Sequence, residues 1–386
     1  MHSAPTRVAV PGREGHDAAT QHSRDSVSSN SISQTIHRAL TAAGLNTRAG
    51  ALRPVTATIE KALGLAGLTQ LRRPIPGHRP AAFRASRPMG PPVTTKPLAT
   101  GLGQFLSLSY SNGQSSRAYR LYIPSSHVGE SAPLIVMLHG CKQNPDDFAT
   151  GTRMNELAES EGFLVAYPAQ TARENGANCW NWFESNQQSR EGIEPSLIAG
   201  IVRDIGRSHA VDPSRVFVAG LSAGAAMAVI LGRTYPEVFA GVAAHSGLPV
   251  GAAHDVMSAF AAMQGGPAAS STDIGRSSVP TIVFHGDADN TVALANGATI
   301  VEQALLGYAE SDTALRKSQR SPGALDGKKF TTTDYADAGG RSRVEEWVVH
   351  GGAHAWFGGS SKGSYTDPSG PDASAEIVRF FLSQQS

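Results

Sequence analysis

The sequence lacks most of the features that would place it in a specialised class of proteins. No apolar run approaches the roughly 20 residues that a membrane-spanning helix needs, and the first residues, MHSAPTRVAVPGREG, lack the apolar core of a signal peptide. No metal-ligand spacing, phosphate-binding loop or nucleic-acid motif is present. Only two cysteines occur among the 386 residues, so at most one disulfide can form. We therefore expect a soluble chain without a metal, a nucleic-acid partner or a membrane span.

The charge of the chain is balanced in total but not along its length. The formal net charge is +1. Residues 1–100, however, hold 13 Lys and Arg against 4 Asp and Glu, whereas the remainder holds 20 against 28. A basic arm on an acidic body can touch an anionic surface or polymer. The alternative is a solvated tail with no fixed partner.

The first hundred residues also differ from the rest in pattern. Residues 1–30 show no hydrophobic period, which predicts disorder. Two short amphipathic patterns, around Leu40 and Leu63, are each long enough for a helix of about three turns. Seven prolines in the last thirty residues of this stretch predict a semi-rigid linker. We therefore expect a largely disordered basic arm at 1–100 and one folded domain at 101–386.

Beyond the linker, strand patterns alternate with helix patterns. Two apolar stretches that flank Asn112-Gly113 predict a β-hairpin, because Asn-Gly is a strong turn signal. Continuous apolar runs such as Leu134–Leu138 are typical of strands buried on both faces. Further strands are expected at Phe163–Tyr167, Val216–Val218, Val238–Ala244, Thr281–Phe284 and Val344–Val349, with helices at Met154–Glu161 and Ser196–Arg207. The alternation predicts an α/β fold with a mostly parallel central sheet, helices on both faces and an opening hairpin; ligands of such sheets bind at the carboxyl ends of the strands.

The stretch RVFVAGLSAGAAMAVIL combines a strand, a sharp turn and a helix. An apolar run leads into Gly220-Leu221-Ser222-Ala223-Gly224, and an Ala-rich helical pattern follows. A turn of this kind lifts the serine above the sheet and needs glycine where backbones pass too close for a Cβ. A second G-x-S-x-G string, Gly359 to Gly363, has no strand pattern before it and is interpreted as a loop. We therefore assign Ser222, and not Ser361, as a nucleophile.

A serine nucleophile needs an imidazole base, and the imidazole needs a carboxylate that orients it. Both groups occur after Ser222 in loops that follow strands, in the order Ser, Asp, His that α/β-hydrolases use. For the carboxylate, the pattern H-G-x-x-D-x-x-V favours Asp289. Asp287 is the alternative, and it is otherwise expected to cap the turn.

Four histidines compete for the role of the base. His354 is favoured over His350 because the glycines before it allow the loop to curl over the nucleophile. His285 and His245 are interpreted as turn or core histidines. The predicted triad is therefore Ser222, Asp289 and His354.

The oxyanion of an acyl-transfer intermediate needs two N–H donors. One is expected to be the Ala223 N–H, directly after the nucleophile. The other is expected from the loop after the first buried strand, His139-Gly140-Cys141, where Gly140 lets the backbone approach. The donor in that loop would be the Cys141 N–H.

Cys141 has one partner available, Cys179, in a loop just beyond the next strand. We expect a disulfide because both loops should meet at the strand ends near the nucleophile; two buried free thiols are the alternative. Trp180 and Trp182 share the Cys179 loop, and Trp356 stands beside the predicted base. Aromatic side chains near a nucleophile typically line an apolar cleft, so we expect the three to bind substrate, with core packing as the rival interpretation.

Six motifs occur in order along the chain: HGCKQ, NCWNW, GLSAG, HGDADNTV, GGAHAWFGG and GPDAS. Together they resemble the poly(3-hydroxybutyrate) depolymerase family of esterases over about residues 105–386. The resemblance implies a type 1 catalytic domain, related to feruloyl and acetylxylan esterases. Ala353 stands where the family often has glycine, and Phe357 where proline is common, which bears on the shape of the cleft edge.

The sequence therefore predicts a serine α/β-hydrolase that cleaves ester bonds through an acyl-enzyme without a cofactor. The expected substrate is a short-chain polyhydroxyalkanoate polyester or its oligomers. A feruloyl or acetylxylan esterase is the alternative enzyme, and a non-catalytic polyester-granule-binding protein is the alternative of another class. The resemblance implies an extracellular protein; because no export signal is seen, a cytoplasmic protein on polyester granules is the alternative.

Overall fold

The computed structural model describes residues 103–265, 278–320 and 327–384. Its large sheet contains β1 (Gln104–Ser111), β2 (Ser116–Ile123), β3 (Ala132–Leu138), β4 (Leu164–Pro168), β5 (Val211–Leu221), β6 (Gly241–His245), β7 (Thr281–Gly286), β8 (Arg316–Arg320), β9 (Phe330–Ala336) and β10 (Ser342–Val349). The strand order is β1-β2-β4-β3-β5-β6-β7-β10-β9-β8. Two short strands, β11 (Trp356–Phe357) and β12 (Thr366–Asp367), pair separately.

Helices connect and cover these strands. They are α1 (Pro145–Thr152), α2 (Met154–Glu161), α3 (Ile193–Ser208), α4 (Ala223–Thr234), α5 (Val256–Met263), α6 (Leu294–Glu310) and α7 (Ala373–Leu382), with a short 3₁₀ helix at Ser185–Gln188. None of the described helices is both long and apolar enough to cross a membrane. The arm at 1–100, with its two predicted helices and its linker, lies outside the described residues.

The centre of the sheet is parallel, as the sequence predicts. Strands β3, β4, β5, β6, β7 and β10 pair in parallel, and the opening hairpin of β1 and β2 joins β4 in antiparallel fashion. The Asn112-Gly113 turn is present, with Gly113 at φ 88° and the Asn112 side chain accepting from the Ser115 N–H at 2.9 Å. The hairpin and the parallel centre together confirm the predicted α/β-hydrolase architecture.

The sheet separates two cores because side chains alternate along each strand. In β3, Leu134, Val136 and Leu138 belong to one core, which also contains apolar residues of α3 and α4. Ile135 and Met137 belong to the other, with residues of α1, α2 and α7. Helices therefore cover both faces of the sheet.

The far edge of the sheet was not predicted. Strands β8 and β9 pair in antiparallel fashion and extend the sheet beyond β10. The sequence of β8, RKSQR, contains no apolar residue, and every residue in it is exposed. Its extended conformation comes from backbone pairing with β9. Because neither face of β8 is buried, its sequence shows no hydrophobic alternation that could predict a strand. The predicted strand at Val238–Ala244 begins only at Gly241.

Two glycines bring α4 against the sheet. A Cβ added at Gly224 would lie 2.1 Å from the Leu138 carbonyl oxygen and 2.6 Å from that of His139. A Cβ added at Gly220 would lie 2.4 Å from the Gly224 carbonyl oxygen. These distances are far inside van der Waals contact, and the atoms that would collide are backbone. Only glycine therefore lets the turn between β5 and α4 close against the end of β3.

We expect Gly224→Ala to destabilise the fold by about 3 kcal/mol, because the added methyl group can be placed only by moving backbone. Gly206→Ala is the matched control: Gly206 is exposed in α3 and a Cβ there meets no atom within 4 Å. Alanine is the better helix former, so the control should stabilise by about 0.5–1 kcal/mol. Urea unfolding of both variants measures the difference. Equal stability of the Gly224 variant and the parent chain would contradict the packing described here.

Candidate active site

Ser222 occupies a strained turn between β5 and α4. Its φ is 57° and its ψ −119°, a conformation that non-glycine residues rarely adopt. The side chain is half-buried, and the Ser222 N–H donates to the His245 carbonyl oxygen at 2.9 Å. Backbone strain of this kind persists only where the surrounding structure holds it, and it concentrates at functional sites. The hydroxyl is therefore presented at the carboxyl end of β5.

Asp289 and His354 meet at the same end of the sheet. Asp289 follows β7, and His354 follows β10, the strand that pairs with β7. His354 Nδ1 lies 2.7 Å from Asp289 Oδ2, and the two side chains are 11% and 0% exposed. The N–H groups of Thr291 and Val292 donate to Asp289 Oδ1 at 2.8 and 2.9 Å. These three contacts leave the carboxylate fixed and point His354 Nε2 away from it.

The surroundings of Asp289 favour its charged form. Burial on its own would raise the pKa of the carboxyl group. The hydrogen bond and the charge of His354, with the N–H groups of Val292 and Thr291, outweigh that effect and hold the pKa of Asp289 below its ordinary value. The carboxylate is therefore ionised at neutral pH, as the orienting member of a triad must be.

A second aspartate–histidine pair lies nearby but faces solvent. Asp287 Oδ2 is 2.8 Å from His350 Nδ1, and Asp287 Oδ1 accepts from the Gly351 N–H at 2.7 Å. His350 is 44% exposed and its Nε2 is 2.9 Å from Thr331 Oγ1. The two residues favoured for the triad, Asp289 and His354, therefore pair with each other. The two alternatives, Asp287 and His350, form the other pair. The outer pair ties the loop after β10 to the loop after β7.

His245 links the nucleophile turn to the histidine loop. Its carbonyl oxygen accepts from the Ser222 N–H, and its Nε2 accepts from the Phe357 N–H at 3.2 Å. The ring is fully buried, and burial holds its pKa well below the ordinary value. His285 is also buried, with Nε2 2.8 Å from the Val292 carbonyl oxygen. Both side chains are core residues in this structure, in agreement with their interpretation as turn or core histidines.

His245 thus bonds both to Ser222 and to Phe357, three residues after His354. In the described part of the chain no hydrogen bond joins Ser222 Oγ to His354 Nε2. Hydrogen bonds between nucleophile and base are often long before substrate binds and tighten in the complex. The Asp289–His354 half of the predicted triad is therefore assembled in this structure.

The loop after β3 lies against the nucleophile. A Cβ added at Gly140 would be 3.6 Å from Ser222 Cβ and 3.4 Å from the Leu221 carbonyl oxygen. The first helical hydrogen bond of α4 runs from the Ala226 N–H to the Ser222 carbonyl oxygen, so the Ala223 N–H at the helix start has no intrahelical acceptor. The structure thus brings both predicted oxyanion segments, at Cys141 and at Ala223, next to Ser222.

His139 orients the peptide that carries the Cys141 N–H. The Gln170 N–H donates to His139 Nε2 at 3.1 Å, so the proton of the neutral ring is on Nδ1, which donates to the Gly140 carbonyl oxygen at 2.8 Å. Burial lowers the pKa of His139 to about 4, which keeps the ring neutral. In a trans peptide the N–H points opposite to the C=O. Fixing the Gly140 carbonyl therefore fixes the direction of the Cys141 N–H.

Cys141 and Cys179 form a disulfide, with Cα atoms 4.2 Å apart, which confirms the predicted pairing. The Lys142 N–H donates to the Ala177 carbonyl oxygen at 2.7 Å, and Trp180 Nε1 donates to the His139 carbonyl oxygen at 3.0 Å. Together with the bond from the Gln170 N–H to His139, the loops after β3 and β4 are thus joined by one covalent bond and three hydrogen bonds. The disulfide holds the segment that offers the Cys141 N–H.

The tryptophans do not line a cleft in this structure. Trp180, Trp182 and Trp356 are 0%, 5% and 1% exposed. Trp356 donates from Nε1 to Ser374 Oγ at 3.0 Å and stacks on His245 at a ring distance of 5.0 Å. The prediction that these side chains bind substrate is therefore wrong for Trp180 and Trp356, because a side chain without exposed surface cannot touch a ligand. Core packing, the rival interpretation, describes them, and Trp182 is nearly as buried.

A network of buried polar side chains next to the Cys179 loop was not predicted from the sequence. The Glu194 carboxylate accepts from Asn181 N at 2.8 Å, from Asn181 Nδ2 at 2.9 Å and from Gln170 Nε2. Gln170 Nε2 also donates to the Cys179 carbonyl oxygen at 3.0 Å. Burial raises the pKa of Glu194 to about 7, against the opposing effects of Asn181, Arg117 and Gln170. A glutamate in the first turn of a helix ordinarily suggests a solvated residue, so no signal in the sequence marks this one.

The described residues contain no cluster of His, Cys, Asp and Glu that could hold a metal ion. The chemistry available at the site is that of a hydroxyl, an imidazole, a carboxylate and backbone N–H donors. This set of groups fits nucleophilic acyl transfer.

Comparisons with known proteins agree with this geometry. The family model described as Esterase PHB depolymerase matches residues 117–321. Poly(3-hydroxyalkanoate) depolymerase C of Paucimonas lemoignei is 36% identical over 246 residues, which cover 60% of this chain and 57% of that protein. Poly(3-hydroxybutyrate) depolymerase of Ralstonia pickettii is 30% identical over 252 residues, 61% of this chain and 50% of that protein. The chain thus spans little more than half the length of these relatives.

Carbohydrate esterases are also similar. Feruloyl esterase B of Neurospora crassa is 34% identical over 154 residues, which cover 39% of this chain and 51% of that protein. Among solved structures, an acetyl xylan esterase from Aspergillus awamori aligns with a TM-score of 0.56 at 18% identity, covering 73% of this chain and all of that one. At this identity the structural likeness supports the fold alone.

The two aspartates allow a direct test of the pairing. Asp289→Asn should lower kcat on a soluble ester by about 10⁴-fold if it behaves like the analogous change in serine proteases, because the imidazole loses its orienting carboxylate. Asp287→Asn disturbs a half-exposed pair and should cost about 1 kcal/mol of stability or less, with little effect on kcat. Steady-state kinetics and thermal unfolding separate the two effects. Equal losses of kcat in both variants would show that the inner pair has no special role.

Proposed function

Because the chain belongs to the esterase PHB depolymerase family, we propose that it hydrolyses carboxylic esters through an acyl-enzyme on Ser222. The observation that carries the proposal is the 2.7 Å contact between His354 and Asp289 at the same sheet end as the strained serine. In this mechanism Ser222 Oγ attacks the ester carbonyl carbon while His354 Nε2 accepts the hydroxyl proton. The proton then passes to the leaving alcohol, and the acyl group stays on the serine.

The second half of the cycle uses the same groups. His354 accepts a proton from water, the hydroxide attacks the acyl-serine, and the proton returns to Ser222 Oγ as the carboxylic acid leaves. Asp289 stays ionised throughout and stabilises the imidazolium. The N–H groups of Ala223 and Cys141 stabilise the oxyanion in both tetrahedral intermediates, and an oxyanion donor of this kind typically contributes 10²–10³-fold to kcat.

For the substrate we propose short-chain polyhydroxyalkanoate polyesters or their oligomers. The two depolymerases are the relatives with the longest matched segments among those described above, and this supports a polyester over a feruloyl or acetyl group on xylan. Binding of granules or other anionic surfaces by the basic arm belongs to the same proposal. The Cys141–Cys179 disulfide supports an extracellular location, because such bonds persist in oxidising compartments.

The proposal is tested by comparing purified protein on polyhydroxybutyrate film, on feruloylated and acetylated xylan, and on p-nitrophenyl butyrate. We expect hydroxybutyrate oligomers from the film, and slower release from either xylan. Ser222→Ala should lose kcat by about 10⁶-fold, as nucleophile removal does in subtilisin, with unfolding unchanged. Ser361→Ala is the matched control, since Ser361 is exposed in a turn, and should keep full activity. A Ser222→Ala variant that retains activity would refute the assignment of Ser222 as the nucleophile. Faster release of ferulate or acetate from xylan than of oligomers from the film would instead indicate a feruloyl or acetylxylan esterase.

A further inference from the structure

The loop after β3 has a second anchor besides His139. The Gly140 N–H donates to Gln143 Oε1 at 2.9 Å, and the Gly140 carbonyl oxygen accepts from the Gln143 N–H at 3.3 Å. Both polar groups of Gly140 are therefore bound by the same residue. Since the Cys141 N–H belongs to the peptide that begins with the Gly140 carbonyl, Gln143 closes the turn that aims this N–H.

The Gln143 side chain is itself fixed from the other side. It is 1% exposed, and its Nε2 donates to the Ser364 carbonyl oxygen at 2.9 Å and to Asp147 Oδ2 at 3.0 Å. The amide has one acceptor and one donor end. Because the Gly140 N–H can only donate and the Ser364 carbonyl can only accept, the neighbours determine which way the amide points.

Asp147 holds the segment that carries Ser364. Its Oδ1 accepts from the Ser364 N–H at 2.9 Å, and its Oδ2 accepts from Ser364 Oγ at 2.5 Å. The Ser360 N–H donates to the Gly151 carbonyl oxygen at 2.8 Å at the other end of α1. The loop between β11 and β12, which contains the second G-x-S-x-G string, is therefore attached along α1. Its sequence supplies no nucleophile, but its backbone supplies the acceptor for Gln143.

We propose that Gln143 is a positioning residue of the oxyanion hole, and that the loop between β11 and β12 is its anchor through Ser364 and Asp147. This inference rests on the proposed ester hydrolysis at Ser222. Gln143 does not touch the reacting atoms. It acts through the Gly140–Cys141 peptide, whose orientation decides whether the Cys141 N–H faces the developing oxyanion.

The role predicts a particular kinetic signature. A misdirected Cys141 N–H weakens binding of the tetrahedral intermediate, whereas the ester carbonyl of the bound substrate depends on it much less. Loss of the anchor should therefore lower kcat and leave KM nearly unchanged. It should also weaken binding of a trifluoromethyl ketone, which forms an oxyanion on the serine, by the same factor as kcat/KM.

Gln143→Met removes both hydrogen-bonding ends at similar volume, and Gln303→Met is the matched control. Gln303 is also buried and bonds the Val250 backbone twice, at 3.1 Å and 2.9 Å, on a different part of the fold. We expect Gln143→Met to lower kcat on p-nitrophenyl butyrate by about 10- to 100-fold. Its affinity for the trifluoromethyl ketone should fall by about the same factor. Gln303→Met should lose thermal stability and keep kcat. Asp147→Asn, at a half-buried site, should shift the same two quantities in the same direction by less.

The outcomes separate this inference from the function on which it rests. A parent protein that hydrolyses no ester would refute the proposed function itself. A parent that is active, with Gln143→Met as fast as Gln303→Met, would overturn the positioning role alone. A fall in kcat without loss of trifluoromethyl ketone affinity would also overturn it, because the oxyanion donor would then be intact. If Gln143→Met does not fold, Asp147→Asn decides between the same outcomes.

Discussion

The site depends on the close approach of α4 to the end of β3. Because Gly224 has no Cβ, the Leu138 and His139 carbonyl oxygens can approach its Cα more closely than any other residue would allow. This contact places the start of α4, with its free Ala223 N–H, beside the loop that offers the Cys141 N–H. Ser222, with its φ of 57°, lies two residues before Gly224 in the same turn. The proposed nucleophile and the two proposed N–H donors lie on different elements that are brought together by one backbone contact that only glycine permits.

The remaining groups reach the site because parallel strands end together. Asp289 and His354 follow the neighbouring strands β7 and β10, and His245 at the end of β6 bonds to both the Ser222 turn and Phe357. Around this inner set lie pairs of polar residues that touch no reacting atom and are buried except for Asp147, which is half-buried: His139 with Gln170, Glu194 with Asn181, and Gln143 with Asp147. Their hydrogen bonds are what hold loop backbone in place at the strand ends, where no regular structure does so.

The sequence predicted those parts of the molecule that local pattern determines. Apolar runs predicted the buried strands. A serine between two glycines after an apolar run predicted the turn at Ser222. The histidine and aspartate loops follow strands in a recognisable order. What it missed depends on contacts between distant residues. Gln143 and Ser364 are separated by 221 positions, and nothing near either residue indicates the bond. Trp180 and Trp356 were expected to line a cleft because they are close in sequence to predicted site residues. Nearness in sequence does not show whether a side chain faces the cleft or is packed in the core behind it. Strand β8 has no apolar residue and exists through pairing alone.

We propose that Ser222, His354 and the two backbone N–H groups converge on one ester carbonyl. The most direct measurement is a crystal structure of the enzyme after reaction with a p-nitrophenyl phosphonate, whose phosphoryl oxygen mimics the oxyanion. The account predicts phosphorus bonded to Ser222 Oγ, with its oxygen within about 3 Å of the Ala223 and Cys141 nitrogens. His354 Nε2 should lie within hydrogen-bond distance of a phosphonate oxygen or of Ser222 Oγ. Phosphorus on another residue, or an oxygen that faces neither N–H, would contradict it.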